Sequence, residues 1–225
     1  REYGVETHVM VDASRPTTTK QRFCAQEKTL LRVSHLHQRS IDSPTQEKLG
    51  DLTLKLLEKA DLVVFSDFNY GCLPQALVDR IVAQGNDLDI VLSADSQSSS
   101  QTGDVGRFRN MDLLTPTERE ARLSLRNKED GLVVLAENLR SQANAKNVLL
   151  SMGGEGALLH FRTLDGSYKT DRIPALNHRP KDVAGAGDSL LITTSMGLAC
   201  GANAWESACI GSIAASVQVS RIGNV

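Results

Sequence analysis

A chain of 225 residues with 40% apolar content and a formal charge of −2 is large enough for one well-packed domain and carries no basic field for nucleic acid. Lys and Arg are scattered, no apolar run approaches the roughly 20 residues that span a bilayer, and Cys24, Cys72, Cys200 and Cys209 show no paired spacing. These features argue against a nucleic-acid partner, a membrane span and a disulfide framework, and predict a cytoplasmic protein with reduced thiols.

The alternation Val5-Glu6-Thr7-His8-Val9-Met10-Val11 predicts a half-buried strand, and Thr17 to Val33 reads as a continuation into a small antiparallel sheet. After a polar linker, Ile41 to Glu47, the residues Leu52, Leu54, Leu56, Leu57 and Ala60 predict a helix that hands over to the short buried strand Leu62-Val63-Val64-Phe65. Pro74 to Ala83 predicts the next helix, with Pro at its start, and Ile90-Val91-Leu92 the next buried strand. Ser96 to Gln101 reads as a loop; Met111 to Leu114 is strand-like, Thr115 to Leu125 and Gly131 to Ala143 are helical, and Val148 to Leu150 is again a strand. Ala157 to Phe161 and Ser167 to Ile173 flank Asp165-Gly166, a hairpin signal, and two small-residue-rich helices follow over Ser189 to Ala199 and Ala204 to Ser220. Such βα alternation predicts a parallel sheet with helices on both faces. The chain opens without Met inside a strand-like stretch and stops just after a helical one, so an amino-terminal part is expected to lie outside it.

Three segments carry chemistry. Asp182-Val183-Ala184-Gly185-Ala186-Gly187-Asp188 places small residues before an apolar helix, so that backbone N–H groups and the positive end of the helix dipole face outward as an anion site. Asp188, at the end of that loop, is positioned to take a proton from a hydroxyl beside a phosphate. The bland alternative is a Gly-rich turn with Asp188 as a helix cap. Ser151-Met152-Gly153-Gly154-Glu155-Gly156 directly follows a buried strand, where ligands of open α/β folds bind, although a plain turn would have the same composition. Leu114-Thr115-Pro116-Thr117-Glu118-Arg119-Glu120 taken alone offers Glu120 as a solvated helix residue or as the partner of a Thr cap in a capping box. His35 and His37 share one face of a strand, but no third metal ligand follows at a recognisable spacing.

The first of these segments resembles the DTxGAGD signature of the ribokinase-like (PfkB) carbohydrate kinases, with Val183 in place of Thr. The second resembles that family's TxGxxG nucleotide loop, with Ser151 for Thr and Gly153 and Gly156 matching. The third resembles TPNxxE, with Thr117 for Asn and Glu120 on the Glu. Nearly the whole chain is similar to one branch, the heptose 7-phosphate kinases of ADP-heptose synthases. The segments concerned are Arg15-Pro16-Thr17-Thr18-Thr19-Lys20 with Gln21-Arg22, Leu30-Leu31-Arg32-Val33, Ser66-Asp67-Phe68-Asn69-Tyr70-Gly71 and Ala94-Asp95-Ser96. Tyr70 and Gln97 stand where that branch carries Lys.

The resemblance implies a three-layer α/β sandwich with a mostly parallel sheet, a small β lid within residues 1–40 and a kinase core over 41–225. It implies Asp188 as catalytic base, with Gly185, Ala186 and Gly187 as the anion hole. Ser151, Gly153, Gly156, Thr117, Glu120 and Asp182 would serve ATP, Glu120 acting indirectly on Mg²⁺, with room for a monovalent cation near Asp182. Arg15, Lys20 and Arg22 would meet an anionic sugar, and the lid would pair two subunits into a homodimer. The other reading left open is a kinase fold that binds nucleotide or sugar phosphate without catalysis. A dinucleotide oxidoreductase is set aside, because no GxGxxG follows an early strand.

Overall fold

The computed structural model describes residues 4–25, 28–97 and 103–222. Strands β1 (Thr19–Ala25) and β2 (Lys28–His35) form an antiparallel hairpin with a register shift between Phe23 and Cys24. Val5 to Val11, expected as a strand, lies outside any strand or sheet, with Val9 and Val11 84% and 86% exposed. The alternation is present, but among the described residues no neighbouring strand takes up its backbone hydrogen bonds. Residues 98–101 of the expected loop lie outside the described residues.

Helix α1 (Ser43–Leu57) begins inside the stretch expected as a linker, because Asp42 caps it by accepting the Thr45 N–H at 2.9 Å and Pro44 sits in its first turn. Then follow β3 (Leu62–Asp67), α2 (Gln75–Asp87), β4 (Val91–Ser96) and the two-residue β5 (Leu113–Leu114). Helix α3 (Glu118–Leu125) starts three residues later than expected, its entry set by a capping box between Thr117 and Glu120. Next come α4 (Leu132–Ala143), β6 (Asn147–Ser151), β7 (Ala157–Arg162), β8 (Tyr168–Ile173), α5 (Ala186–Ala199) and α6 (Ala204–Gln218).

The six core strands lie in sequence order, β3 to β8; β3 through β6 are parallel, while β7 and β8 return antiparallel as the expected hairpin. Adjacent crossovers of one hand put their helices on one face. That face buries Phe65, Leu92, Leu114, Val148 and Leu150 against α2 and α4. Leu113, Leu149 and Leu159 point the opposite way and meet Leu190 of α5 and Ala208 of α6. Each such fully buried Leu contributes about 2 kcal/mol, so the alternation along β5 and β6 supports both layers at once. Helices α5 and α6 approach closely, since a Cβ on Gly211 would fall 2.1 Å from the Thr194 hydroxyl. The hairpin is stapled to α4 by His160, whose ring nitrogens lie 2.7 Å from the Glu137 carboxylate and 2.7 Å from the Thr170 hydroxyl.

Candidate active site

The carboxyl ends of β3, β4, β5 and β6 and the amino end of α5 converge on one edge of the sheet, the ligand-binding edge of open α/β folds. Gly185, with φ +78°, turns the chain into α5; the left-handed backbone there is open to Gly at no steric cost. The next residues, Ala186, Gly187 and Asp188, form the first turn of the helix, so their N–H groups lie at its positive end. A side chain at Gly187 would meet nothing within 4 Å, which leaves open approach to the loop. Asp182 braces the loop by accepting the Ala184 N–H at 3.0 Å, and Gln218 of α6 donates to the Ala184 carbonyl at 3.2 Å.

Asp188 is exposed to this edge and accepts a hydrogen bond from Gln97 Nε2 at 3.1 Å. Gln97 is itself held at the end of β4: its N–H donates to the Asp67 carbonyl at 2.8 Å, and its carbonyl accepts from Asn69 Nδ2 at 3.0 Å. Asp67 is buried and serves the scaffold, receiving Arg107 Nη2 at 2.7 Å and the Asn69 N–H at 2.9 Å. The Gln97 contact lay hidden in sequence, where the residue registered only as a missing Lys.

Asp95, two residues before Gln97, is 6% exposed, and its Oδ1 has no hydrogen-bond partner among the described residues. Burial, with the charges of Glu120 and Asp188 nearby, pushes its carboxyl up to about 7. A buried, under-satisfied carboxyl facing other acids fits a hard divalent cation. Among the described residues no group of three or more His, Cys, Asp or Glu side chains forms a cage of its own. That is the arrangement Mg²⁺ tolerates, since it keeps waters and phosphate oxygens as ligands. Sequence reasoning gave Asp95 no role; the available signal was an acid closing a buried apolar strand.

Glu120 is buried, and its Oε2 accepts both the N–H and the hydroxyl of Thr117 at 2.8 Å each, so the capping box is realised. The Thr117 and Ser151 segments are joined directly by a parallel bridge, with the Ser151 N–H donating to the Pro116 carbonyl at 2.9 Å. Ser151, Gly153 and Gly156 then line a cleft of about 320 Å³ with Pro174, Leu176 and Val183. Gly153 leaves space around its α-carbon, whereas Gly156, at φ +93°, is required by the fold: a Cβ there would lie 2.1 Å from the Ile173 carbonyl oxygen.

The amino-terminal candidates separate. The Arg15 guanidinium is held by Asp12 at 3.0 Å, the Arg39 and Tyr70 carbonyls at 2.7 and 2.5 Å and Cys72 Sγ at 3.3 Å. These four protein acceptors tie it between the lid base and the core. The Lys20 ammonium projects from β1 over the stacked rings of Phe68 and Tyr70, 4.7 and 5.1 Å from their centroids. The Arg22 side chain lies outside the described residues.

No helix among the described residues is long and apolar enough to cross a membrane. The sequence profile of pfkB family carbohydrate kinases matches residues 1–225. The chain is 31% identical over 225 residues to the bifunctional protein HldE of Geotalea uraniireducens, covering 98% of this chain and 44% of that protein. It is 26% identical to HldE of Nitratiruptor, covering 99% of this chain and 46% of the relative, so it spans less than half the length of these curated relatives. In fold it is similar to phosphofructokinase-2 from Escherichia coli in complex with potassium, with a TM-score of 0.69 and 16% identity over 86% of this chain and 62% of that one. It is also similar to ribokinase of Arabidopsis thaliana complexed with ribose and ATP, with a TM-score of 0.64 and 16% identity over 86% of this chain and 60% of that one. The glycine loop at α5 and the ribokinase-like sheet are thus features of a chain that belongs to the pfkB family of carbohydrate kinases.

Proposed function

We propose that this chain transfers the γ-phosphoryl group of ATP to a hydroxyl of a phosphorylated sugar, with Asp188 as general base. The observation that carries the reading is the exposed Asp188 carboxylate in the first turn of α5, directly after the Gly185 to Gly187 amides and beside the cleft lined by Ser151 and Gly153. The nucleotide base packs in the apolar cleft, Thr117, Ser151 and Gly153 flank the phosphates, and the α5 amides receive the charge that grows on the transferred group. Asp188 takes the acceptor proton as the oxygen attacks in line. Mg²⁺, when bound near Asp95 and Glu120, neutralises phosphate charge. Asp182 is the candidate neighbour of a monovalent cation, a reading supported by the potassium complex of the phosphofructokinase-2 relative.

On the acceptor side, Lys20 on its aromatic platform supplies the cation for a sugar phosphate, and the resemblance to the heptose 7-phosphate kinases makes heptose 7-phosphate the first candidate. The lid leaves Phe23, Leu30 and Leu31 more than half exposed, a surface suited to pairing with the lid of a second copy.

The test is ATP-dependent ADP release by the intact protein with Mg²⁺ across free and phosphorylated sugars, heptose 7-phosphate among them, with Asp188→Asn as control. Turnover on one acceptor that falls by about 10²–10⁴ in the control supports the assignment. Near-normal turnover in Asp188→Asn removes the base, and ATP binding without turnover on any acceptor favours a noncatalytic binding module.

A further inference from the structure

An open basin of about 790 Å³ shares Thr117, Ser151 and Gly153 with the apolar cleft but is otherwise walled by α3 and the turn after it. Its lining brings together Arg119, Arg122, Arg126 and Lys128 against a single carboxylate, Glu118. The arginines recur at helical spacing, so α3 presents them on one face. Arg122 is fixed, its Nε 2.8 Å from Glu118 and its Nη1 3.0 Å from the Asp130 carbonyl. The side chains of Arg119, Arg126 and Lys128 make no hydrogen bond or ion pair among the described residues.

Two features set this cluster apart from an ordinary solvated face. Arg119 sits in the first turn of α3, where the helix dipole opposes a cation, and has no partner to offset the cost. Arg126 occupies the left-handed position at the end of the helix, φ 51° and ψ 35°, where Gly or Asn is usual. The dipole favours a cation at that end, yet it gives no reason for three unpaired cations around one concavity. Repulsion among them is relieved by an anion.

We propose that the basin binds a phosphate-bearing small anion, recognised by Arg119, Arg126 and Lys128, with Arg122 as the fixed member of the set. The shared wall of Thr117, Ser151 and Gly153 links its occupancy to that of the nucleotide cleft. The proposal stands on the basin itself and does not require turnover. Its anion has two sources: the polyphosphate of the nucleotide in the cleft, or a separate phosphorylated metabolite.

The probe is inorganic tripolyphosphate, titrated calorimetrically at low salt, with and without a saturating non-hydrolysable ATP analogue. The variant is Arg126→Asn/Lys128→Gln, since Asn accepts the left-handed backbone; Arg119→Gln alone is the second variant should the double change unfold, as judged by its melting transition. Wild-type binding that weakens about tenfold or more in the variant, and weakens with salt, supports the site. If binding persists beside the analogue, the anion is a separate effector; if the two compete and the variant weakens both, it is the nucleotide's own phosphates. No tripolyphosphate binding, or equal binding by wild type and variants, overturns the proposal. Tripolyphosphate bound in a variant-sensitive way while the ATP analogue fails to bind leaves the basin standing and removes the kinase reading.

Discussion

Gln97 Nε2 donates to Asp188 Oδ1 at 3.1 Å, joining the end of β4 to the first turn of α5 through the group proposed as base. A neutral amide here orients the carboxylate without adding charge, whereas a Lys would pair with it. Its backbone is fixed on both sides by Asp67 and Asn69, so the amide is aimed rather than loose. Gln97→Leu therefore frees the Asp188 rotamer. The expected result is a kcat lower by about tenfold with KM for ATP unchanged, since positioning and not nucleotide contact is lost. Steady-state kinetics on whichever acceptor the sugar panel yields decide it; an unchanged kcat would mean that the contact plays no part in positioning the base.

Asp95 sets function against stability. Its folded-state carboxyl is raised to about 7 from 3.8 by burial and by the charges of Glu120 and Asp188. The native state therefore holds the proton more tightly than the unfolded chain, so the stability this gives is full below about pH 4 and is lost as pH rises through about 7. Asp95→Asn removes a charge that is uncompensated above that range. Without Mg²⁺ the variant should be more stable than wild type at pH 8, by an amount on the order of a few kcal/mol, and the gap should narrow by more than half at pH 5 and close only below about pH 4. In the presence of Mg²⁺ and nucleotide the wild type should gain stability that the variant does not. Thermal unfolding at the two pH values, with and without Mg²⁺ and ADP, tests both halves, and a variant less stable at pH 8 would contradict the first.

Lys20 and Tyr70 bear on the acceptor. The branch of the family that the sequence resembles carries a lysine where Tyr70 stands, and here a lysine from β1 lies over the Tyr70 and Phe68 rings. On the proposed reading the charge for the acceptor comes from the lid instead of the core. Lys20→Gln should raise KM for a phosphorylated acceptor by about 10-fold to 100-fold, corresponding to about 1.5–3 kcal/mol for a charged hydrogen bond. KM for ATP should hardly move. Tyr70→Leu should produce a smaller effect of the same kind by releasing the ammonium. An equal loss on free and phosphorylated sugars would count against a phosphate contact.

What the sequence discloses and what it hides divides along physical lines. The buried strands β3, β4 and β6 are short apolar runs between helical stretches, and the hairpin turn at Asp165-Gly166 is local chemistry; each is legible because the chain carries its own instructions there. The glycine loop before α5 is legible for the same reason, since its backbone demands are met by the residues themselves. Val5 to Val11 has the period of a strand and is none, because period two states a preference while a partner strand must come from elsewhere. The protein contacts of Arg15 could not be read either: its acceptors at Arg39, Tyr70 and Cys72 are brought to it by folding. Asp95 and Gln97 belong with Arg15, since burial and a bond spanning 91 residues have no local signature.

Away from the site, the hairpin staple on α4 has its own pH signature. Arg140 donates to both oxygens of Glu137 at 2.7 Å, and a ring nitrogen of His160 lies 2.7 Å from one of them. Chiefly through the Arg140 hydrogen bonds, the Glu137 carboxyl is lowered to about 2 from 4.5. A depressed carboxyl stabilises the fold above its unfolded value, and that contribution is lost as pH falls from about 4.5 through 2. The Glu137 side chain is 43% exposed, so solvent screening holds the contribution to about 1 kcal/mol. Glu137→Gln should therefore lower the urea midpoint at pH 6 and converge with wild type near pH 2–3. A constant gap across that range would show that packing of Arg140 against the Tyr168 ring, and not the carboxylate, fastens the hairpin to α4.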